Sequence, residues 1–139
     1  MKNILFLCTG NSCRSQMAEG WLKHFGRSVD YHIYSAGIKK HGINYKAIKV
    51  MQEAGVDISR YVSKTIAEIP KITFDYVFTL CSDANETCPI FPGGKIIHVP
   101  FDDPPKLVVD MKDEQKILDV YRRVRDEIKE FALKIDTYL

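Results

Sequence analysis

The chain has 139 residues, enough for one hydrophobic core and too few for two, so residues 1–139 are expected to form a single domain. Hydrophobic residues make up 45% and charged residues 27%, which excludes extended disorder, and a formal net charge of +2 supplies no basic face for nucleic acid. The opening apolar run Ile4-Leu5-Phe6-Leu7 is far too short for a membrane anchor or a signal peptide, which predicts a cytoplasmic protein that engages neither membrane nor nucleic acid. In that reducing compartment the four cysteines read as catalytic, redox or metal-binding thiols before structural disulfides.

In chain order, a first strand is expected over Lys2 to Leu7, followed by a loop and a helix from about Arg14, where Met17, Ala18, Trp21, Leu22 and Phe25 recur on one face and Gly26 terminates it. A second strand runs from Tyr31 to Ser35. Asn44 is a suitable cap for a second helix that stops at Gly55, with Ala47, Val50, Met51 and Ala54 inward. Strands follow at Phe74 to Leu80 and Lys95 to Val99, then a Pro-rich loop from Phe101 to Lys106. The last helix begins near Gln115, with Ile117, Tyr121, Val124, Ile128, Phe131 and Ile135 at helical spacing. Near-continuous apolar strands alternating with helices give an α/β class: a doubly wound, three-layer α/β/α sandwich on a four-stranded parallel sheet. The apolar stripes, Trp21 included, read as core.

The strongest chemical signal is Cys8-Thr9-Gly10-Asn11-Ser12-Cys13-Arg14-Ser15, placed between the first strand and the first helix, where open α/β sheets bind ligands. Small residues let the backbone N–H groups from Thr9 to Ser15 turn inward, and the helix N-terminus adds partial positive charge, so the loop predicts a nest for a tetrahedral oxyanion. Gly10 and Asn11 tolerate the left-handed conformations such a nest uses. Arg14 adds a planar, permanently charged fork for two oxyanion oxygens. The same field favours the thiolate of Cys8, the expected nucleophile, and Ser15 is placed to donate a hydrogen bond to its sulfur. Cys13 reads as a buried packing residue. A Walker loop is excluded, because Gly-Lys-Ser/Thr is absent.

An oxygen leaving the central atom of that anion needs a proton, and Phe101-Asp102-Asp103-Pro104-Pro105 supplies a carboxyl group. Asp103 precedes a proline, which favours an extended backbone able to project the side chain, so Asp103 is the expected general acid. Cys81 lies directly after the third strand, on the rim that carries Cys8, and Cys88 follows seven positions later. A helix between them would set their sulfurs about 10 Å apart, so a disulfide would require that segment to unwind. Two inert thiols are the alternative. The spacing is too wide for a zinc site, and neither metal nor cofactor is assigned. No histidine is assigned to catalysis, although His41 falls in a polar loop near the same rim.

Cys8 to Trp21, Tyr34-Ser-Ala-Gly37, Leu80-Cys-Ser-Asp-Ala84, Cys88-Pro89, Phe101-Asp-Asp-Pro104 and Arg123-Val-Arg-Asp-Glu-Ile128 together resemble the thioredoxin-coupled arsenate reductases, which share the low-molecular-weight tyrosine phosphatase fold. The resemblance spans nearly the whole chain. It implies arsenate as substrate, with phosphate and sulfate as competing oxyanions, and thioredoxin as reductant; a monomer is expected for a domain this small with no evident extra apolar face. It also implies the sequence of events: Cys8 attacks arsenate held by Arg14 and the loop, Asp103 protonates the departing oxygen, Cys81 displaces arsenite from Cys8, and Cys88 then attacks Cys81.

Two positions depart from the relatives. Where some bind potassium through residues matching Asn11, Glu19 and Ser35 plus an acidic side chain, the aligned acid is Lys64, which predicts an ammonium paired with Glu19 in place of the ion. Val99-Pro100 stands where many reductases carry Trp-Gly, closer to the phosphatases. The alternatives are therefore a protein tyrosine phosphatase using Cys8, Arg14 and Asp103, which would lack aromatic recognition residues at Pro105 and Lys106, and an oxyanion-binding redox sensor without turnover.

Overall fold

The computed structural model describes residues 1–82 and 91–139. Strands β1 (Lys2–Cys8), β2 (Tyr31–Gly37), β3 (Tyr76–Thr79) and β4 (Lys95–His98) form one parallel sheet in the order β2-β1-β3-β4. The chain leaves β1 for β2 on one side and later joins β3 on the other. A crevice therefore opens beyond the C-terminal end of β1, the place where this class of sheet binds ligands.

Alternation along β1 explains why its sequence is apolar throughout. Ile4 and Phe6 enter one core with Ile33, Phe78 and Leu80, while Leu5 and Leu7 enter a second with Ala36, Phe74 and Val77. The first core lies under helices α1 (Arg14–His24), α2 (Tyr45–Glu53) and α4 (Glu114–Leu133). Among the described residues the second face has a thinner cover, including Ile66 of a 3₁₀ turn (Ile66–Glu68) and Ile69.

Helix limits follow local chemistry. Asn44 Oδ1 accepts from the backbone N–H groups of Lys46 and Ala47, and Asp113 caps α4 through Gln115 and Lys116 in the same way. Gly26 and Gly55 take the positive φ of 75° and 85° that the turns after α1 and α2 require. Helix α1 departs from a one-sided stripe, since every residue from Arg14 to Leu22 is buried. The side turned from the sheet is covered by α4 and by the loop carrying Ile58, which lies against Gly20.

The Pro-rich stretch expected as a loop contains a further short helix, α3 (Pro104–Leu107). Proline's fixed φ suits the first helical turn, where its missing N–H costs nothing. No helix among the described residues is long and apolar enough to cross a membrane.

Phe131 of α4 joins the sheet to the acid-bearing loop. Its ring meets Phe6, Phe78, Phe101 and Tyr138 at centroid distances of 5.3–6.1 Å. Phe131→Ala is expected to cost about 3–5 kcal/mol of stability through cavity formation, read from urea unfolding. A loss under about 1 kcal/mol would mean this cluster is not the core's anchor.

Candidate functional site

Between Cys8 and Arg14 the backbone carbonyls are turned outward to fixed partners. Thr9 O accepts from Ile38 N and Lys39 N at 2.9 and 3.1 Å, Gly10 O from His41 N at 3.2 Å and Ser63 Oγ at 3.0 Å, and Ser12 O from Asn44 N at 2.9 Å. Asn11 O accepts from Gln16 Nε2 at 3.1 Å, and Cys13 O from Met17 N at 2.9 Å. In a trans peptide each carbonyl opposes the next residue's N–H, so the amides of residues 10–14 are directed to the concave side. That concavity is a pocket of about 280 Å³, walled by Cys8, Thr9, Gly10, Ser12, Cys13, Arg14, His41, Asn44, Asp103 and Pro105.

Asn11 and Ser15 stand behind the pocket, fully buried, where they fix the sulfur. Asn11 has φ 47°, the left-handed conformation expected of it, whereas Gly10 does not use one. At Gly10 a Cβ would lie 2.5 Å from His41 Nδ1, so a side chain there would have to displace the His41 ring. Gly37 at the end of β2 has the same constraint, because a Cβ would lie 2.7 Å from Thr9 O and 2.8 Å from Asn11 N. Asn11 Oδ1 accepts from Lys64 N at 2.7 Å and Gln16 Nε2 at 2.9 Å, which sets the amide so that Nδ2 donates to Ser15 Oγ at 2.8 Å. The Ser15 hydroxyl proton is then left for Cys8 Sγ, 2.9 Å away.

Arg14 is only 3% exposed. Its Nη1 donates to Phe101 O at 3.2 Å and reaches Leu80 O at 3.4 Å, while Nη2 lies 3.7 Å from Asp103 Oδ1. The guanidinium thus joins three segments: the nest, the end of β3 and the acid loop. Asp103 has the extended backbone expected before proline (φ −90°, ψ 102°) and lines the pocket, while the preceding Asp102 points to α4 and pairs with Arg123 at 2.9 Å.

Cys8, Cys13 and Cys81 are buried thiols. The register that pairs Leu7 with Thr79 brings Cys8 and Cys81 off neighbouring strands at one rim, although Cys81 does not line the pocket. Cys88, and with it the expected rearrangement between the two cysteines, lies outside the described residues. Burial first, and then the charges of Cys8 and Asp103, push the Cys13 thiol well above its ordinary range against the pull of Arg14.

The expected Lys64–Glu19 pair is not formed. Glu19 lies one helical turn before Lys23 and takes that ammonium at 2.7 Å, the favourable order on a helix, while its other oxygen accepts from Ser35 Oγ at 2.6 Å. Lys64 Nζ instead donates to Val62 O at 2.8 Å, and its half-buried position lowers its pKa. Its contribution to the nest is its backbone N–H on Asn11.

The model of the low molecular weight phosphotyrosine protein phosphatases matches residues 3–137. The chain belongs to that family. Within it, the chain is 51% identical over 128 residues to an arsenate reductase of Halalkalibacterium halodurans, covering 91% of this chain and 89% of the relative. A solved arsenate reductase in the reduced state superposes with TM-score 0.74 at 32% identity, over 97% of this chain and 96% of its own. A thioredoxin-dependent arsenate reductase of Corynebacterium glutamicum gives TM-score 0.62 at 25% identity, over 100% of this chain and 64% of its own.

Asn44, His41 and Gln16 were not expected at a site of this family. Asn44 signals only a helix cap, His41 only a polar loop, and Gln16 nothing beyond a helical position. Their places follow from the long-range return of residues 38–44 and 62–65 onto the nest.

Because the Cys13 thiol is held protonated, iodoacetamide near about pH 7.5 is expected to label Cys8 at least tenfold faster than Cys13, with phosphate slowing the Cys8 reaction; peptide mapping reads this. Equal labelling of the folded protein would contradict the assignment.

Proposed function

We propose that this chain reduces arsenate to arsenite, with Cys8 as nucleophile and Cys81 and Cys88 as its thiol–disulfide relay. The observation that carries this reading is the Arg14 guanidinium, which reaches Asp103, the nest and the carbonyl of Leu80, the residue before Cys81. One cation therefore stands beside the anion seat, Asp103 and the backbone that leads into Cys81.

In this reading the loop amides and Arg14 hold arsenate against Cys8, and Ser15 stabilises the thiolate. The sulfur bonds to arsenic(V) while Asp103 gives its proton to the departing oxygen, which leaves as water. The Cys81 thiolate then attacks the Cys8 sulfur; the sulfur–arsenic bond breaks with its electron pair going to arsenic, and arsenite leaves. The Cys8–Cys81 disulfide is opened by Cys88, which returns the Cys8 thiolate and forms a Cys81–Cys88 disulfide. Two electrons from a dithiol reductant close the cycle. Thioredoxin is the reductant of choice, supported by the thioredoxin dependence of the Corynebacterium relative. Phosphate fits the same seat as a competitor.

A phosphatase reading is favoured by the family match and by Cys8, Arg14 and Asp103 sharing one pocket. The two readings part at the second and third thiols. With thioredoxin, thioredoxin reductase and NADPH, arsenate-dependent oxidation of NADPH is expected to fall at least a hundredfold in each of Cys8→Ser, Cys81→Ser and Cys88→Ser. Hydrolysis of p-nitrophenyl phosphate that needs Cys8 alone, with no arsenate turnover in the native protein, would make the chain a phosphatase.

A further inference from the structure

Two pocket residues with ionisable side chains are not used by the proposed reaction, the buried Cys13 and the exposed His41. His41 is placed with some care. Its backbone N–H donates to Gly10 O at 3.2 Å, Gly42 behind it takes φ 76°, and its ring edge bearing Nδ1 lies against Gly10, where any Cβ would collide. Among the described residues no side-chain hydrogen bond or ion pair engages the imidazole, so the contact with Gly10 leaves Nε2 clear. An imidazole held at the lip of an anion nest, with a donor uncommitted, is available to a bound anion. It can donate to an oxyanion oxygen that the loop amides and Arg14 leave unsatisfied.

We propose that His41 is an oxyanion-contacting residue whose imidazolium form adds a charge-assisted hydrogen bond to the bound tetrahedral anion, making oxyanion affinity rise as pH falls through the histidine range. The inference rests on the reading of the pocket as an oxyanion seat.

The charged groups around the ring define the background. Arg14, Asp103 and the buried thiols Cys8 and Cys13 share the pocket, Lys39 and Lys40 precede His41 in its own loop with Lys40 paired to Glu68 at 2.8 Å, and Lys106 follows Pro105 of the pocket wall. Replacing Cys8 by serine removes the thiolate from the comparison, and sulfate is doubly charged throughout, so the probe does not titrate.

Sulfate affinity of Cys8→Ser is measured by titration calorimetry near pH 6 and near pH 8.5, beside Cys8→Ser/His41→Gln and Cys8→Ser/His41→Lys. The parent variant is expected to bind about tenfold more tightly at the lower pH. Glutamine, a neutral donor of similar reach, should lose about tenfold near pH 6 and stay within about twofold near pH 8.5, whereas lysine should bind tightly at both. Thermal unfolding within about 2 °C of the parent separates a local effect from misfolding. Unchanged sulfate affinity in the glutamine variant near pH 6, with the parent binding normally, overturns the proposal alone. No sulfate binding by the parent at either pH overturns the oxyanion seat, and the proposal with it.

Discussion

The structure depends on satisfying the carbonyls of a loop whose amides must all face one way. A run of N–H groups can converge on an anion only if the intervening carbonyls find partners elsewhere, because unpaired polar backbone in a buried turn is expensive. For Thr9, Gly10 and Ser12 the partners come from residues far away in sequence: Ile38, Lys39, His41, Asn44 and Ser63. Much of the chain between β2 and residue 65 can be understood as the scaffold that holds the nest open. Gly37 shows how closely the parts fit, because the strand end approaches Thr9 and Asn11 with no room for a methyl group.

The other wall of the pocket is held from the opposite direction. Phe101 lies on Phe131 of α4, Asp102 pairs with Arg123 of the same helix, and between them the extended backbone turns Asp103 toward Arg14. The pair at Arg123 is about half exposed and adds little stability, so its effect is on direction more than on energy. The Asn11–Ser15–Cys8 chain does comparable work for the Cys8 sulfur. Its polarity follows from Lys64 N and Gln16 Nε2, which occupy the Asn11 carbonyl oxygen and leave only its amide to donate.

The four strands and three long helices were readable from period and caps, because Asn44, Gly26 and Gly55 act through local chemistry that sequence displays directly. That Cys8, Arg14 and Asp103 would share one pocket was readable because their spacing and their neighbours restrict where they can stand. The short helix at Pro104 was read as a loop, since proline signals a turn as strongly as a helix start. Lys64 failed for a different reason. Alignment placed an ammonium near Glu19, but Lys23 on the same helix was the nearer competitor, and only the folded geometry decides between them. His41 and Asn44 entered the pocket through tertiary contacts that leave no periodic trace.

The central claim is that Cys8 delivers electrons from its own chain to an oxyanion held in this nest. The most direct measurement is a single turnover: fully reduced protein is mixed with excess arsenate without any external reductant, and arsenite and remaining thiols are counted. The account predicts one arsenite per chain, two thiols lost, and a disulfide mapped to the peptide carrying Cys81 and Cys88. All four thiols surviving with no arsenite formed would contradict it.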